Sequence, residues 1–197
     1  MRAQRIAICL KCEASKPELQ NSIDCKIFLR AMTPSDPSKL QIRYYPSPNF
    51  DDRPMGIRID TVVLHATVLN TLDEVIQHFA NPASKVSCHY TIDRDATIAA
   101  HVLEDKRAWH AGQSRMKDGR TGVNDFSIGI ELVNLNDGAD PFPDQQIETM
   151  RNLLKAIIAR YPIRHIIPHY ECADPPGRKN DPAGFDTAWI KELFNYL

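Results

Sequence analysis

The sequence predicts an α/β domain built on a single mixed β-sheet flanked by helices. Three observations predict it. IDTVVLH (59–65) is a nearly continuous β-branched run, the pattern of a buried strand. DQQIETMRNLLKAIIARY (144–161) places Ile147, Met150, Leu154, Ile157 and Ile158 on one face at helical spacing. Between and around these, strands and helices are mixed, with some hairpin-like and some crossover connections, so the sheet is expected to be mixed.

The elements follow in order. Residues 1–40 hold three of the five cysteines, a polar middle (ASKPELQNS) and a linker-like TPSDPSK, and read as a partly ordered N-terminal extension. The patterned domain runs over 41–197. After the strand at 59–65, TLDEVIQHFA (71–80) begins with Thr71 at a capping position and spaces Leu72, Val75, Ile76 and Phe79 as a helix does. SCHYTIDRDATIAAHV (87–102) reads as two short strands around an Asp-rich turn, and FSIGIELVN (126–134) as another strand. The long helix has Asp144 in its first turn and Pro162 after its end. RHIIPHY is a last short strand, and TAWIKELFNYL closes the chain as a helix.

Composition sets limits on function. The chain has 197 residues, 43% hydrophobic and 25% charged, with a net charge of −1 and both signs mixed. Nothing there asks for nucleic acid or an anionic membrane as a partner. No apolar run approaches the ~18 residues of a membrane span. MRAQRIAICLK begins basic, but its apolar core is shorter than the roughly 7–15 residues of a secretory signal, and Ile8 stands where a lipoprotein cysteine needs a small neighbour. A cytoplasmic protein is expected, with an exported one as the alternative if a leader was removed. An odd, scattered set of cysteines fits a reducing compartment. Cys9 and Cys12 form a lone CxxC, weak evidence for a metal, and Cys25 has no evident partner.

Five positions carry candidate chemistry. His65 ends the buried strand, and strand ends are where open sheets present reactive groups; a hydrogen-bonded core histidine is the competing reading. Glu131 stands mid-strand among apolar neighbours, on the face of Gly129 and opposite Ile128, Ile130 and Leu132. A buried carboxylate is costly unless paired, so it is either a structural ion pair or a base beside a cavity. His169 follows the apolar HIIP, and Asp181 lies in a rigid Pro- and Gly-rich loop. With His65 they make a three-ligand zinc site with a fourth position open for water. Lys179 would lie near that metal, or be a solvated loop lysine. His78, His101 and His165 read as structural or surface residues.

The stretches VVLHAT, VSCHYTIDRD, AWHAG, NDFSIGIEL and IPHYE…DPPGRKNDPAG together resemble the type-2 N-acetylmuramoyl-L-alanine amidases, in order and spacing, from about residue 40 onwards. The resemblance implies one zinc ion per chain on His65, His169 and Asp181, Glu131 as general base, and Lys179 stabilising the oxyanion. It also puts His89 and His110 on the substrate groove, where a structural hydrogen bond is the alternative for each. The substrate implied is peptidoglycan or its muropeptides, cut at the amide between the lactyl group of N-acetylmuramic acid and L-alanine, and a monomer is expected. Cys88 departs from the family, standing where phage-type relatives carry a tyrosine. Ala96 replaces a turn glycine, and Met116 stands near a usual tryptophan. A non-catalytic peptidoglycan-binding module is the alternative, disfavoured because all three ligands and Glu131 are present. A zinc deaminase, suggested by His169-Tyr170-Glu171, lacks the P-C-x-x-C that such a site needs.

Overall fold

A computed structural model describes residues 40–193. The extension with Cys9, Cys12 and Cys25, and the last four residues of the expected closing helix, lie outside the described residues.

Six strands form one mixed sheet: β1 (Ile42–Tyr44), β3 (Thr61–Ala66), β4 (Tyr90–Ile92), β5 (Ile98–Ala100), β7 (Ser127–Leu132) and β8 (His165–Pro168). Their spatial order is β1-β5-β4-β7-β3-β8. Only the β4–β5 hairpin is antiparallel; the other neighbours run parallel. The expected mixed sheet is therefore present. β2 (Phe50–Asp52) and β6 (Lys106–Ala108) form a separate antiparallel pair that composition did not announce, being short and polar.

Two helices cover the sheet from opposite sides. α2 (Asp144–Ile158) packs Met150, Leu153, Leu154 and Ile157, all fully buried, against Val62, Leu64, Ile128, Ile130 and Leu132. Each such side chain contributes roughly 1.5–3 kcal/mol by leaving water. The N-terminus of α2 is tied to the sheet by Gln146, whose side-chain amide donates to the carbonyls of Ile92 and Val133. α1 (Leu72–Ala80) lies on the other face, packing Leu72, Val75 and Phe79 with Cys88, Ala99 and Val133. Thr71 and Glu74 close its start as a reciprocal capping box. Near the C-terminus, α4 (Ile190–Leu193) adds Ile190 and Leu193 to the larger core.

The expected last strand stops at Pro168. Proline has no N–H to donate to a ladder, and the next four residues turn into a short helix, α3 (His169–Cys172). The loop 173–184 then returns over the end of the sheet. Because β3, β7 and β8 run parallel, their C-terminal ends share one edge of the fold, and that edge carries the site.

Candidate active site

Parallel register does the positioning. His65 on β3 is the direct neighbour of Glu131 on β7, so both side chains leave the sheet on one face, side by side. His169 emerges from the first turn of α3, immediately after β8, the other neighbour of β3. Asp181 reaches them from the loop, whose path is fixed by a bond from the Tyr170 amide to the Asp181 carbonyl and one from the Ala183 amide to the Asn136 side chain.

Three atoms converge. Nδ1 of His65 lies 3.1 Å from Nδ1 of His169 and 3.2 Å from Oδ2 of Asp181. Nδ1 of His169 lies 2.9 Å from the same oxygen. Among the described residues this is the group of histidine, cysteine and carboxylate side chains arranged to hold a metal. Nε2 of His169 is 3.2 Å from the carbonyl oxygen of Ala111, which can only accept. A ring at 169 with its single proton on Nε2, as a metal ligand requires, turns a bare Nδ1 toward the Asp181 carboxylate. Two lone-pair atoms at such a distance repel each other unless a cation lies between them. Two imidazole nitrogens and one carboxylate oxygen are a donor set that zinc takes with a position to spare.

The electrostatics agree with that reading. His65 is fully buried, and burial foremost, opposed by Asp181, pushes its imidazole down to about 4, so it is neutral at physiological pH. Burial raises the Asp181 carboxyl, but positive charge shared with the facing His169 and His65 rings outweighs it and holds the group well below the usual carboxylate range; between two bare nitrogens a bound cation would play that part. Glu131 is pushed up to about 8, by burial first and the Asp181 charge second, with Lys179 pulling the other way. Its Oε2 is buried without a hydrogen-bond partner. An orphaned carboxylate oxygen costs stability, and it points to a group waiting for something absent from the free chain. Glu131, Lys179, His110 and the three convergent residues line one cavity of about 240 Å³.

Residues 55–184 match the family described as N-acetylmuramoyl-L-alanine amidase. The chain belongs to the N-acetylmuramoyl-L-alanine amidase family. Among proteins similar to this amidase is the 1,6-anhydro-N-acetylmuramyl-L-alanine amidase AmpD of Citrobacter freundii, 36% identical over 78% of this chain and 90% of that protein. The N-acetylmuramoyl-L-alanine amidase AmiD of Escherichia coli is 37% identical over 64% of this chain and 49% of its own length. Of the solved structures, a selenomethionine AmpD derivative superposes with a TM-score of 0.67 at 34% identity, covering 77% of this chain and 93% of that one. AmiD from E. coli, in complex with the substrate anhydro-N-acetylmuramic acid-L-Ala-D-γ-Glu-L-Lys, gives 0.60 at 28% identity, over 75% and 65%.

The remaining candidates of the amidase separate cleanly. His110 lines the cavity and lies with Nδ1 3.1 Å from Nε2 of His65. His89 does not line it. Its ring is fully buried beneath β6, where Nδ1 accepts from the Gly129 amide at 3.0 Å and Nε2 donates to the Lys106 carbonyl at 3.1 Å. Burial, then the nearby Arg53 charge, pushes that imidazole down to about 3. His89 thus pins β7 to its neighbours, and the expectation of a groove residue does not match where the structure places it. Cys88 is a buried free thiol outside the cavity wall, raised well above its usual range by burial and then by Glu131. Met116 is buried in a satellite core with Val63, Val123 and Phe126. His101 is satisfied by the Tyr45 carbonyl and Thr91 hydroxyl.

Sequence reasoning passed over Ser127, Asn124 and Arg53. Asn124 accepts from the amides of His110 and Ala111. Arg53 donates to the carbonyls of Glu104, Asn124, Asp125 and Ser127. For Ser127 there was a signal: it shares the alternate face of Gly129 and Glu131.

Proposed function

We propose that this amidase hydrolyses the amide joining the lactyl group of N-acetylmuramic acid to L-alanine, in soluble muropeptides bearing the 1,6-anhydro ring, with one zinc ion on His65, His169 and Asp181. The observation that carries the reading is the meeting of two imidazole nitrogens and a carboxylate oxygen, beside a glutamate whose Oε2 is buried without a partner, in one cavity. The 1,6-anhydro preference is supported by the AmpD relatives, whose length this chain nearly spans. Zinc in such a site polarises a carbonyl and acidifies water at its open position.

The chain's own residues do the rest. Glu131, with its raised pKa, takes a proton from the attacking water and hands it to the departing L-alanine nitrogen. Lys179, on the same cavity wall, offsets the negative charge that develops on the carbonyl oxygen, a contribution typically of a few kcal/mol. Closure of the site on a single chain makes a monomer sufficient. Consumption of soluble fragments goes with action in the cytoplasm, and the free thiols Cys88 and Cys172 are in keeping with it.

The test is a digest of matched muropeptides with and without the anhydro ring, read by mass spectrometry with N-terminal labelling. Free stem peptide with L-alanine newly N-terminal, and sugar with a free lactyl carboxylate, are expected, faster from the anhydro form. Shortened stem peptides still attached to muramic acid would overturn the bond assignment, and equal rates on both forms the ring preference. Metal analysis of His65→Ala should show the zinc largely lost; full retention would overturn the ligand set.

A further inference from the structure

Nδ1 of His65 can serve as a ligand only if the ring's proton sits on Nε2, and what holds it there is visible in the hydrogen bonds behind the ring. Ser127 Oγ lies 2.6 Å from the Val123 carbonyl oxygen. A carbonyl only accepts, so the one hydroxyl hydrogen of Ser127 is spent on it. Nε2 of His110 lies 3.1 Å from the same Oγ. With no hydrogen left on Ser127 to give, this bond must be donated by His110 from Nε2–H. The neutral imidazole has one N–H, so Nδ1 of His110 is an acceptor. It faces Nε2 of His65 at 3.1 Å. His65 therefore donates from Nε2 and presents a bare Nδ1 toward His169 and Asp181.

We propose that Ser127 and His110 act as positioning residues, a two-step relay that sets the tautomer of His65 for the metal. The geometry is built for it. Ser127, Gly129 and Glu131 alternate along one face of β7, and the His110 ring occupies the gap over Gly129. A Cβ at residue 129 would stand 2.6 Å from His110 Cγ and 2.6 Å from Cys88 Sγ, so any larger residue would evict the ring. Ala111 O performs the equivalent service for His169 through its Nε2. Each histidine thus has its far nitrogen committed, one by a backbone carbonyl and one by a side-chain chain of two. Partners of this kind typically change metal affinity by about 10–100-fold when lost.

The inference rests on the zinc site proposed above, so its test needs readouts that separate the two. Zinc affinity would be measured by competition with a chelating indicator for the full-length wild type and for Ser127→Ala, His110→Phe and His110→Gln. The metal-free proteins would be examined by ¹⁵N NMR of the histidine rings. In the wild type the His65 signals should report Nε2–H alone. In Ser127→Ala they should report a mixture, with affinity down about 10-fold, and His110→Phe should lose up to about 100-fold. Glutamine at 110 can accept through its amide oxygen and should recover much of that loss. A packing role predicts the opposite order, because phenylalanine keeps the ring volume and glutamine does not. Affinities within twofold of wild type for Ser127→Ala and His110→Phe, or a glutamine variant no better than the phenylalanine one, would overturn the relay. A wild type that binds no zinc would sink the metal reading instead, while the ring NMR would still report on the relay.

Discussion

Glu131 shows at the scale of one residue how function opposes stability. Its folded-state pKa is raised above the ordinary carboxyl value. The metal-free protein therefore favours the protonated form, and stability falls as pH climbs from the unfolded pKa through about 8. Glu131→Gln removes that cost. The variant should melt higher than wild type at alkaline pH without metal, keep its zinc, and lose about 10²–10⁴-fold in kcat. Melts and kinetics on one preparation check both halves; a destabilised variant with normal turnover would mean a structural ion pair. The pH profile gives a second test. A base must be deprotonated, so kcat/KM rises through the Glu131 pKa. A bound dication draws that limb below the metal-free value, and Lys179→Met, by removing a charge that lowers it, should shift the limb to higher pH. Much of this site was readable in the sequence because a carboxylate among IGIEL and a histidine closing TVVLH conflict with burial unless they have work to do. His89 was not. What covers it is β6, whose residues KRA look like any polar turn.

At the scale of elements, the strands read most clearly are those whose side chains are buried on both faces, β3 and β7. β1 and β2 were missed because short, largely exposed triplets such as IRY and FDD carry no periodicity, and only their partners make them strands. The β4–β5 turn was legible, including its anomaly. Ala96 adopts φ +75°, the left-handed region that suits glycine. Its amide still closes the turn on the Asp93 carbonyl. Ala96→Gly should therefore stabilise the protein by about 1 kcal/mol, raising Tm by roughly 2–4 °C for a chain of this size. A lower Tm by calorimetry would show that the turn bears no such strain. Leu154→Ala in α2 should cost about 2–5 kcal/mol, because the side chain is fully buried against the sheet.

At the scale of the whole molecule, composition predicts an extension over 1–40 and a domain over 41–197, and the family match over 55–184 falls within the latter span. A chain starting near Gln41 should fold, bind zinc and cut muropeptides; a folded but inactive product would give the extension a part in the site. Ligand binding to the native state alone adds about 2.7 kcal/mol at a hundredfold excess over Kd. Saturating zinc should thus raise Tm by roughly 5–11 °C, and His65→Ala should abolish the increment. The three ligands do not stand on equal footings, however. His65 is set by β3 and His169 by the first turn of α3, directly after the adjoining β8, whereas Asp181 rides on the loop between Ala173 and Gly184. Two jaws of the clamp are bedded in the core, and the third is a buried residue on a loop fastened by the Tyr170–Asp181 and Ala183–Asn136 hydrogen bonds. Release of the ion through that side has to break those fastenings while the sheet stays as it is, so variants that loosen them, such as Asn136→Ala, should speed zinc exchange more than they weaken equilibrium affinity.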